Sequence, residues 1–265
     1  MTVLGIDAAW TLREPSGVAL ISKSGSRWRL LAAAPSYESF IAITGGANPS
    51  GDRPRGSEPD PSGLLSAAGW VAGVEVDLIA VDMPLSRLPI TSRRTADNAV
   101  SRAYGARKCG THTPSAVRPG PISDRLRGGF ERQGYLLSAR QLASRSLIEV
   151  YPHPALVELH SAPERLPYKL SKIRNYWPGL SSPGRRAKLL EVWARIVAAL
   201  EVEIDGVANL LPLPDISAPT WRLKAVEDML DAVVCAWVGA VAIEGRCIPH
   251  GDEDAAIWIP VSVGR

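Results

Sequence analysis

The stretch at residues 2–7, TVLGID, decides the fold, because a short apolar run that ends in an acid is typical of a buried β-strand. Residues 76–82, VDLIAVD, repeat the pattern and are followed closely by Pro84, which cannot continue a central strand. A third apolar run, LIEVY at residues 147–151, carries Glu149 and is closed by two prolines. These runs predict three buried strands of one sheet.

Helices are predicted between and after these strands. Residues 17–22 and 27–34 flank a KSGS turn and predict a β-hairpin. Apolar residues at helical spacing predict helices over residues 64–72, 182–200 and 220–244, with Ser182 as an N-cap. Strands alternating with helices, together with an early hairpin, indicate an α/β fold with a mixed sheet flanked by helices. We expect one domain over residues 1–265, interrupted by a basic insertion at residues 86–145.

Composition excludes several classes of protein. Hydrophobic residues make up 46% of the 265 residues, which is enough for a substantial core. No run reaches the roughly 20 uncharged apolar residues of a membrane span, and the N-terminus lacks the pattern of a signal peptide. The three cysteines form neither a CxxC pair nor a metal-ligand spacing. The sequence therefore predicts a cytoplasmic protein without a membrane partner.

Positive charge is concentrated in one segment. The net charge is only +3, but residues 87–145 carry twelve basic residues against three acids, or +9, which leaves −6 for the rest. Such an asymmetry is typical of a surface that binds nucleic acid, DNA or RNA, through phosphate contacts. An equally open interpretation is a solvated insertion rich in arginine. The candidate nucleic-acid-binding residues are Arg93, Arg94, Arg107 and Lys108.

Acids mark the predicted strands and the last helix. Asp7, Asp82 and Glu149 lie at or near the carboxyl ends of three strands, where the sites of open α/β sheets are found. Asp228 and Asp231 share a face of a helix that is apolar nearly all round. Clustered carboxylates without His or Cys suit Mg²⁺ or Mn²⁺, which hydrolyse phosphodiester bonds at such sites. Taken singly, Asp7 and Asp82 could stabilise turns, Glu149 could pair with an arginine, and Asp228 could serve the helix dipole.

Several motifs together resemble a known family. They are GIDAAW at residues 5–10, PSGVA at 15–19, AVDMPL at 80–85, EVYPHPA at 149–155 and DMLDAVVCAW at 228–237. In this order they are similar to the bacterial and archaeal family called domain of unknown function 429, described as predicted nucleases with a ribonuclease H-like fold. The DxxDA of the last helix is also similar to that of Holliday-junction resolvases of the same fold. This resemblance implies that Asp7, Asp82, Asp228 and Asp231 are metal ligands.

Three functions follow as expectations. The first is a metal-dependent nuclease with Asp7, Asp82, Asp228, Asp231 and Glu149 as catalytic residues and Mg²⁺ or Mn²⁺ as cofactor. The second is a nucleotide-handling enzyme of the actin and sugar-kinase type, although Ala8, Ala9 and Trp10 follow the first acid where such enzymes place glycine and a hydroxyl residue. The third is a non-catalytic nucleic-acid-binding protein that retains the fold. Trp10 could stack on a base, but a core position is the simpler interpretation.

Overall fold

The computed structural model describes residues 1–46 and 53–261, in which a mixed sheet runs through the molecule. The strands are β1 (Thr2–Asp7), β2 (Gly17–Ser24), β3 (Arg27–Ala34), β4 (Leu78–Asp82), β5 (Leu136–Leu137), β6 (Ser146–Val150), β7 (Ile204–Asp205), β8 (Cys247–Gly251) and β9 (Ala256–Pro260). The helices are α1 (Tyr37–Ile41), α2 (Pro61–Ala72), α3 (Thr95–Tyr104), α4 (Pro121–Arg132), α5 (Pro152–Leu159), α6 (Ile173–Tyr176), α7 (Ser182–Glu203), α8 (Val207–Leu210) and α9 (Thr220–Ile243).

The order of strands across the sheet is β7-β3-β2-β1-β4-β6-β9-β8, with β5 also paired to β6. The first three strands are antiparallel neighbours, whereas β4 runs parallel to β1, β6 parallel to β4 and β9 parallel to β6. The β1–β4 register places Asp7 directly beside Asp82. Two strands that the sequence predicted independently thus end side by side, each in an acid.

Both faces of the sheet are covered by helices. Alternate residues of the central strands point to opposite faces, as the period of a strand requires. Val3, Leu78 and Ile148 pack with α7 and α9 on one face, while Leu4, Ile79 and Leu147 pack with α1, α2 and α4 on the other. Helix α9 is buried at every position from Ala225 to Ala242, because it lies between the sheet and the neighbouring helices.

The main predicted elements are confirmed, with corrected ends. The hairpin, the three acid-bearing strands and the helices at residues 64–72, 182–200 and 220–244 are all present. The N-cap of α7 is Ser181 rather than Ser182, since the hydroxyl of Ser181 accepts a hydrogen bond from the amide of Gly184 at 3.2 Å. Helices α3 and α4 and strand β8 were not predicted from the sequence, whereas the apolar run at residues 255–261 predicted the strand seen as β9.

The segment predicted as a basic insertion, residues 86–145, forms α3, α4 and β5. Helix α4 packs against α2, and α3 packs against β8 and β9 at the end of the sheet. Among the described residues there is no helix long and apolar enough to cross a membrane.

Candidate functional site

The floor of the site is formed by two carboxylates at the ends of neighbouring parallel strands. Asp7 ends β1, Asp82 ends β4, and both side chains are half-buried. Within residues 1–46 and 53–261 neither carboxylate forms a hydrogen bond or an ion pair. Two adjacent, unpartnered acids at the carboxyl end of a sheet are unusual, because burial without a partner disfavours the charged form.

Helix α9 reaches these acids through two glycines of the sheet. A Cβ at Gly5 would overlap the backbone of Ala232 and Ala236, and a Cβ at Gly17 would overlap the backbone of Asp228. Only glycine permits so close an approach of helix and strand backbones. The part of α9 from Asp228 to Ala236 is therefore held against β1 and β2, and Asp228 and Asp231 come to the same end of the sheet as Asp7.

Asp231 is fully buried and already has two partners. The hydroxyl of Tyr168 donates to its Oδ1 at 2.7 Å, and the ammonium of Lys169 donates to its Oδ2. Burial lowers the pKa of Lys169, but Asp231 outweighs this effect, so that the net pKa rises well above its usual value and the ion pair stays charged. The structure therefore brings Asp231 to the predicted site as an acid neutralised by Lys169.

Asp228 shares a second lysine with its neighbour on α9. Lys224 donates to Oδ1 of Asp228 and, at 3.0 Å, to Oε1 of Glu227. The other carboxylate oxygen of Glu227 accepts the amide of Leu170 at 2.5 Å. Oδ2 of Asp228 is buried without a hydrogen-bond partner. One carboxylate oxygen at this site thus lacks the partner that burial requires.

The acids outnumber the lysines. Five carboxylates (Asp7, Asp82, Glu227, Asp228 and Asp231) meet two ammonium groups (Lys169 and Lys224), which leaves an excess of three negative charges when all are ionised. Burial and then the charge of Asp231 raise the pKa of Asp7 from 3.8 to about 6. Burial and then Asp7 raise the pKa of Asp82 well above its usual value. Burial also raises the pKa of Asp228, against the effect of Lys224.

Two adjoining cavities open above the acids, with volumes of about 550 Å³ and about 410 Å³. Asp7 and Asp228 line the first, and Tyr151 and His153 line the second. Residues lining both are Trp10, Glu14, Asp82, His112, Arg118, Lys169 and Lys224. Because they share this wall, the cavities form one cleft, which we call the acid cleft.

Comparison with known proteins identifies a family. The sequence profile of a family described as proteins of unknown function, DUF429, matches residues 5–256. The chain belongs to DUF429. No curated protein and no solved structure matched the chain.

The family motif that begins at Glu149 has a structural role in this DUF429 chain. Glu149 is buried at the end of β6, where its Oε2 accepts the amide of Leu85 at 2.7 Å. Both of its oxygens also accept the guanidinium of Arg94, at 2.6 and 2.7 Å. Burial raises the pKa of Glu149 even though Arg94 opposes the shift. Glu149 is thus the buried partner of an arginine in this structure, and its catalytic role stays a prediction.

Arg94, which was predicted as a nucleic-acid contact, is a buried residue whose guanidinium is engaged within the chain. Its side chain is 7% exposed. The five N–H donors of its guanidinium form two hydrogen bonds to Asp97, two to Glu149 and one to the carbonyl of Leu85. The backbone amide of Arg94 also donates to Oδ2 of Asp97, at 2.9 Å. No donor remains for a phosphate. The ion pair between Arg94 and Asp97, three residues apart, is part of this cluster.

Replacing Arg94 with Met is expected to lower the free energy of unfolding by about 3–5 kcal/mol, because Glu149 and Asp97 would be left as buried, uncompensated charges. Chemical denaturation at neutral pH measures the loss. The matched control is Arg102→Met, an exposed arginine of α3, the helix that begins directly after Arg94; it should change stability by less than about 0.5 kcal/mol. Equal stability of the two variants would contradict the structural role of Arg94.

The other three predicted phosphate contacts are engaged within the chain. Arg107 pairs with Glu158 at 2.5 Å and donates to the carbonyl of Ala162 at 2.7 Å. Lys108 pairs with Glu164 at 2.6 Å, although both side chains remain exposed. The guanidinium of Arg93 donates to polar atoms of α3 and of the following loop, namely Asn98, Asp97, Ser101, Thr111 and Thr113.

Of the predicted contacts, Arg94 lines the acid cleft, although its donors are taken by other groups of the chain. The other cations that line it were not predicted as contacts; they are Arg118, Arg165, Lys169, Lys172 and Lys224. Lys224 precedes Asp228 by one helical turn, so helical spacing could have revealed that pair. The contacts of Tyr168 and Lys169 with Asp231 could not be predicted from sequence spacing, since both residues lie more than sixty positions before Asp231.

Proposed function

We propose that this protein is a metal-dependent nuclease of the ribonuclease H-like class, which hydrolyses phosphodiester bonds of nucleic acid in the cytoplasm. The observation that carries the proposal is the side-by-side pair of Asp7 and Asp82. Both acids are half-buried and unpartnered, both have raised pKa values, and both line a cleft whose wall carries cations. A site that cleaves phosphodiester bonds needs carboxylates at its base to hold a metal ion and cationic side chains on its wall to bind phosphate.

The topology supports the ribonuclease H-like assignment. Three antiparallel strands are followed by parallel strands in the order β3-β2-β1-β4-β6, and the acids lie at the ends of β1 and β4 and on the long last helix. This is the arrangement that the resemblance of the GIDAAW and DMLDAVVCAW motifs implies.

The donor set fits a hard divalent cation in chemistry. Carboxylate oxygens without His or Cys suit Mg²⁺ or Mn²⁺. The excess of negative charge and the orphaned Oδ2 of Asp228 both favour a cation. In the described part of the chain, however, no group of three or more His, Cys, Asp or Glu side chains is already arranged to hold one. Asp7 and Asp82 would be the first ligands, and Asp228 and Asp231 would join after Lys224 and Lys169 move.

The chain's own residues divide the remaining work. A bound divalent ion would supply an activated water and stabilise the leaving oxygen. Asp7 and Asp82 would hold it from the rigid ends of two strands. Arg118, Arg165 and Lys172 would bind phosphate oxygens along the cleft. Burial lowers the pKa of His153 well below its usual value, so at neutral pH this imidazole lines the cleft uncharged.

Millimolar Mn²⁺ is expected to raise the melting temperature of the wild type and to support cleavage of a labelled oligonucleotide. A ligand present at ten to a hundred times its Kd adds about 1.4–2.7 kcal/mol to the stability of the folded state. Thermal melts and gel assays, each with Mn²⁺ and with EDTA, measure the two effects. A protein that neither gains stability nor cleaves in Mn²⁺ would overturn the nuclease proposal.

A second candidate function is supported by the two lysines. Lys169 and Lys224 neutralise Asp231 and part of the Glu227–Asp228 pair without any added ion. A protein that only binds nucleic acid would need the acids balanced in this way and would need no metal. It predicts binding to the oligonucleotide in EDTA with no cleavage in Mn²⁺, so the same assay separates the candidates.

A further inference from the structure

The division of the acid cleft into two cavities bears on the form of nucleic acid that it accepts. The volumes, about 550 and about 410 Å³, are within the range of single small-molecule sites. A cavity of this size is large enough for one nucleotide unit. The acids lie at the floor, so a strand must enter the cleft for its phosphate to approach them.

Aromatic rings stand where the two cavities meet. Trp10 follows Asp7 by three residues, and its ring lies edge-to-face with His112 at a centroid distance of 6.4 Å. Both residues line both cavities. Every base presents a π-face, and stacking on such rings is the usual means of holding bases without a partner strand. The half-burial of Trp10 leaves part of its ring facing the cleft.

Charge in the smaller cavity favours an anion. Its acids Glu149, Asp97 and Glu227 are bonded to Arg94 or to Lys224. Arg118 and Lys172 are exposed and form no ion pair within the described residues. A further guanidinium, that of Arg165, has its Nε buried without a partner. The opposing charges in this cavity are Asp82 and the exposed Glu14.

From this arrangement we propose that the acid cleft binds single-stranded nucleic acid, with one nucleotide in each cavity and the intervening phosphodiester over the shared residues Asp82, Lys169 and Lys224. The proposal rests on the proposed function for the reaction that follows binding. The binding mode itself needs only the cleft. Trp10 supplies the stacking surface, and Arg118 contacts phosphate at the junction of the cavities.

Fluorescence anisotropy with a labelled single-stranded oligothymidylate tests the proposal, against a duplex of the same length, in EDTA and again in Ca²⁺. We expect the single strand to bind at least about tenfold more tightly than the duplex. Trp10→Ala should weaken binding of the single strand by about tenfold, the effect of losing one stacked base. The matched control is Trp70→Ala, whose ring on α2 is 63% exposed and lies outside the cleft; it should bind as the wild type does.

A second variant covers the possibility that Trp10→Ala disturbs folding, since Trp10 also packs at the edge of the core. Arg118→Gln, at an exposed position, should weaken binding and reduce the slope of log K against log salt by about 0.7, as expected for one lost phosphate contact with a single strand. Arg102→Gln, on the exposed face of α3, is its control and should leave the slope unchanged.

The outcomes separate the two proposals. Equal or tighter binding of the duplex, no binding of the single strand in either EDTA or Ca²⁺, or equal affinities of Trp10→Ala and Trp70→Ala would overturn the single-strand mode. Single-strand binding without cleavage in Mn²⁺ would support this mode and overturn the nuclease. Cleavage of duplex alone would support the nuclease and overturn the single-strand mode.

Discussion

Asp7→Asn is expected to abolish cleavage that depends on divalent metal, with a loss of about a thousandfold or more, while the protein stays folded. Asparagine nearly preserves the shape of the side chain but removes the charge that would hold the cation. No hydrogen bond or ion pair within residues 1–46 and 53–261 depends on this carboxylate, so the substitution breaks no contact there. Rate assays in Mn²⁺, together with melts with and without Mn²⁺, measure both effects.

The stability of this variant should exceed that of the wild type at neutral pH. The pKa of Asp7 is raised to about 6 in the folded state, so the folded protein binds more protons than the unfolded chain between about pH 4 and pH 6. Stability contributed by this group therefore falls as pH rises through that window and is constant above it. Asparagine has no such loss. We expect Asp7→Asn to be more stable by about 1–3 kcal/mol near pH 8, and equal to the wild type near pH 4.

The control for this experiment is Asp124→Asn, an exposed acid in the first turn of α4, outside the acid cleft. It should keep full activity and lose at most about 0.5–1 kcal/mol through the helix dipole. A protein whose Asp7→Asn variant cleaves at the wild-type rate, or melts lower than the wild type at both pH values, would show that Asp7 is a structural acceptor.

Gly5→Ala should destabilise the fold by about 3 kcal/mol or more, the upper range for forcing extra volume into a packed core. The added Cβ would overlap backbone atoms of Ala232 and Ala236, which cannot rotate away as a side chain could. Helix α9 would have to move off β1, and Asp228 and Asp231 would move with it. We therefore expect activity to fall even at temperatures where the variant is still folded.

Urea denaturation measures this loss, and Gly179→Ala is the matched control. A Cβ at Gly179 would meet no atom within 4 Å, so the control should be neutral or slightly stabilised by the lower entropy of its unfolded chain. If Gly5→Ala were as stable as Gly179→Ala, the close approach of α9 to β1 would not exist in solution.

The central strands and the last helix could be predicted because their signals are local. Residues 2–7 and 76–82 are short apolar runs that each end in an acid. The register of β1 and β4 places these two acids, Asp7 and Asp82, side by side. The length and apolar character of α9 identify it from its own sequence. Because α9 is buried on all sides, the carboxylates within it need hydrogen-bond or ion-pair partners. The partners of Asp231, Tyr168 and Lys169, lie far away in the sequence and could not be predicted from α9 itself.

The basic segment could not be interpreted from sequence for the same reason. Its formal charge of +9 allowed two interpretations, a nucleic-acid-binding surface or a solvated insertion rich in arginine. Arg94 and Arg107 find Glu149 and Glu158 more than fifty residues later in the chain, and local spacing carries no sign of such pairs. Strand β8 was missed because it is only half-buried and contains Pro249, features that argue against a strand except at a sheet edge.

At the proposed metal site, Lys169 and Lys224 would act as intramolecular competitors of the cation. A metal ion would have to displace an ammonium group held at a fixed and high local concentration, so its apparent affinity would be lowered by the same mass action that governs two ligands sharing one pocket. Binding of scarce ions at trace levels would then be disfavoured. Such a site would respond to an ion that is abundant around the protein, and loading would be reversible, because the two lysines could again neutralise Asp228 and Asp231 once the ion leaves.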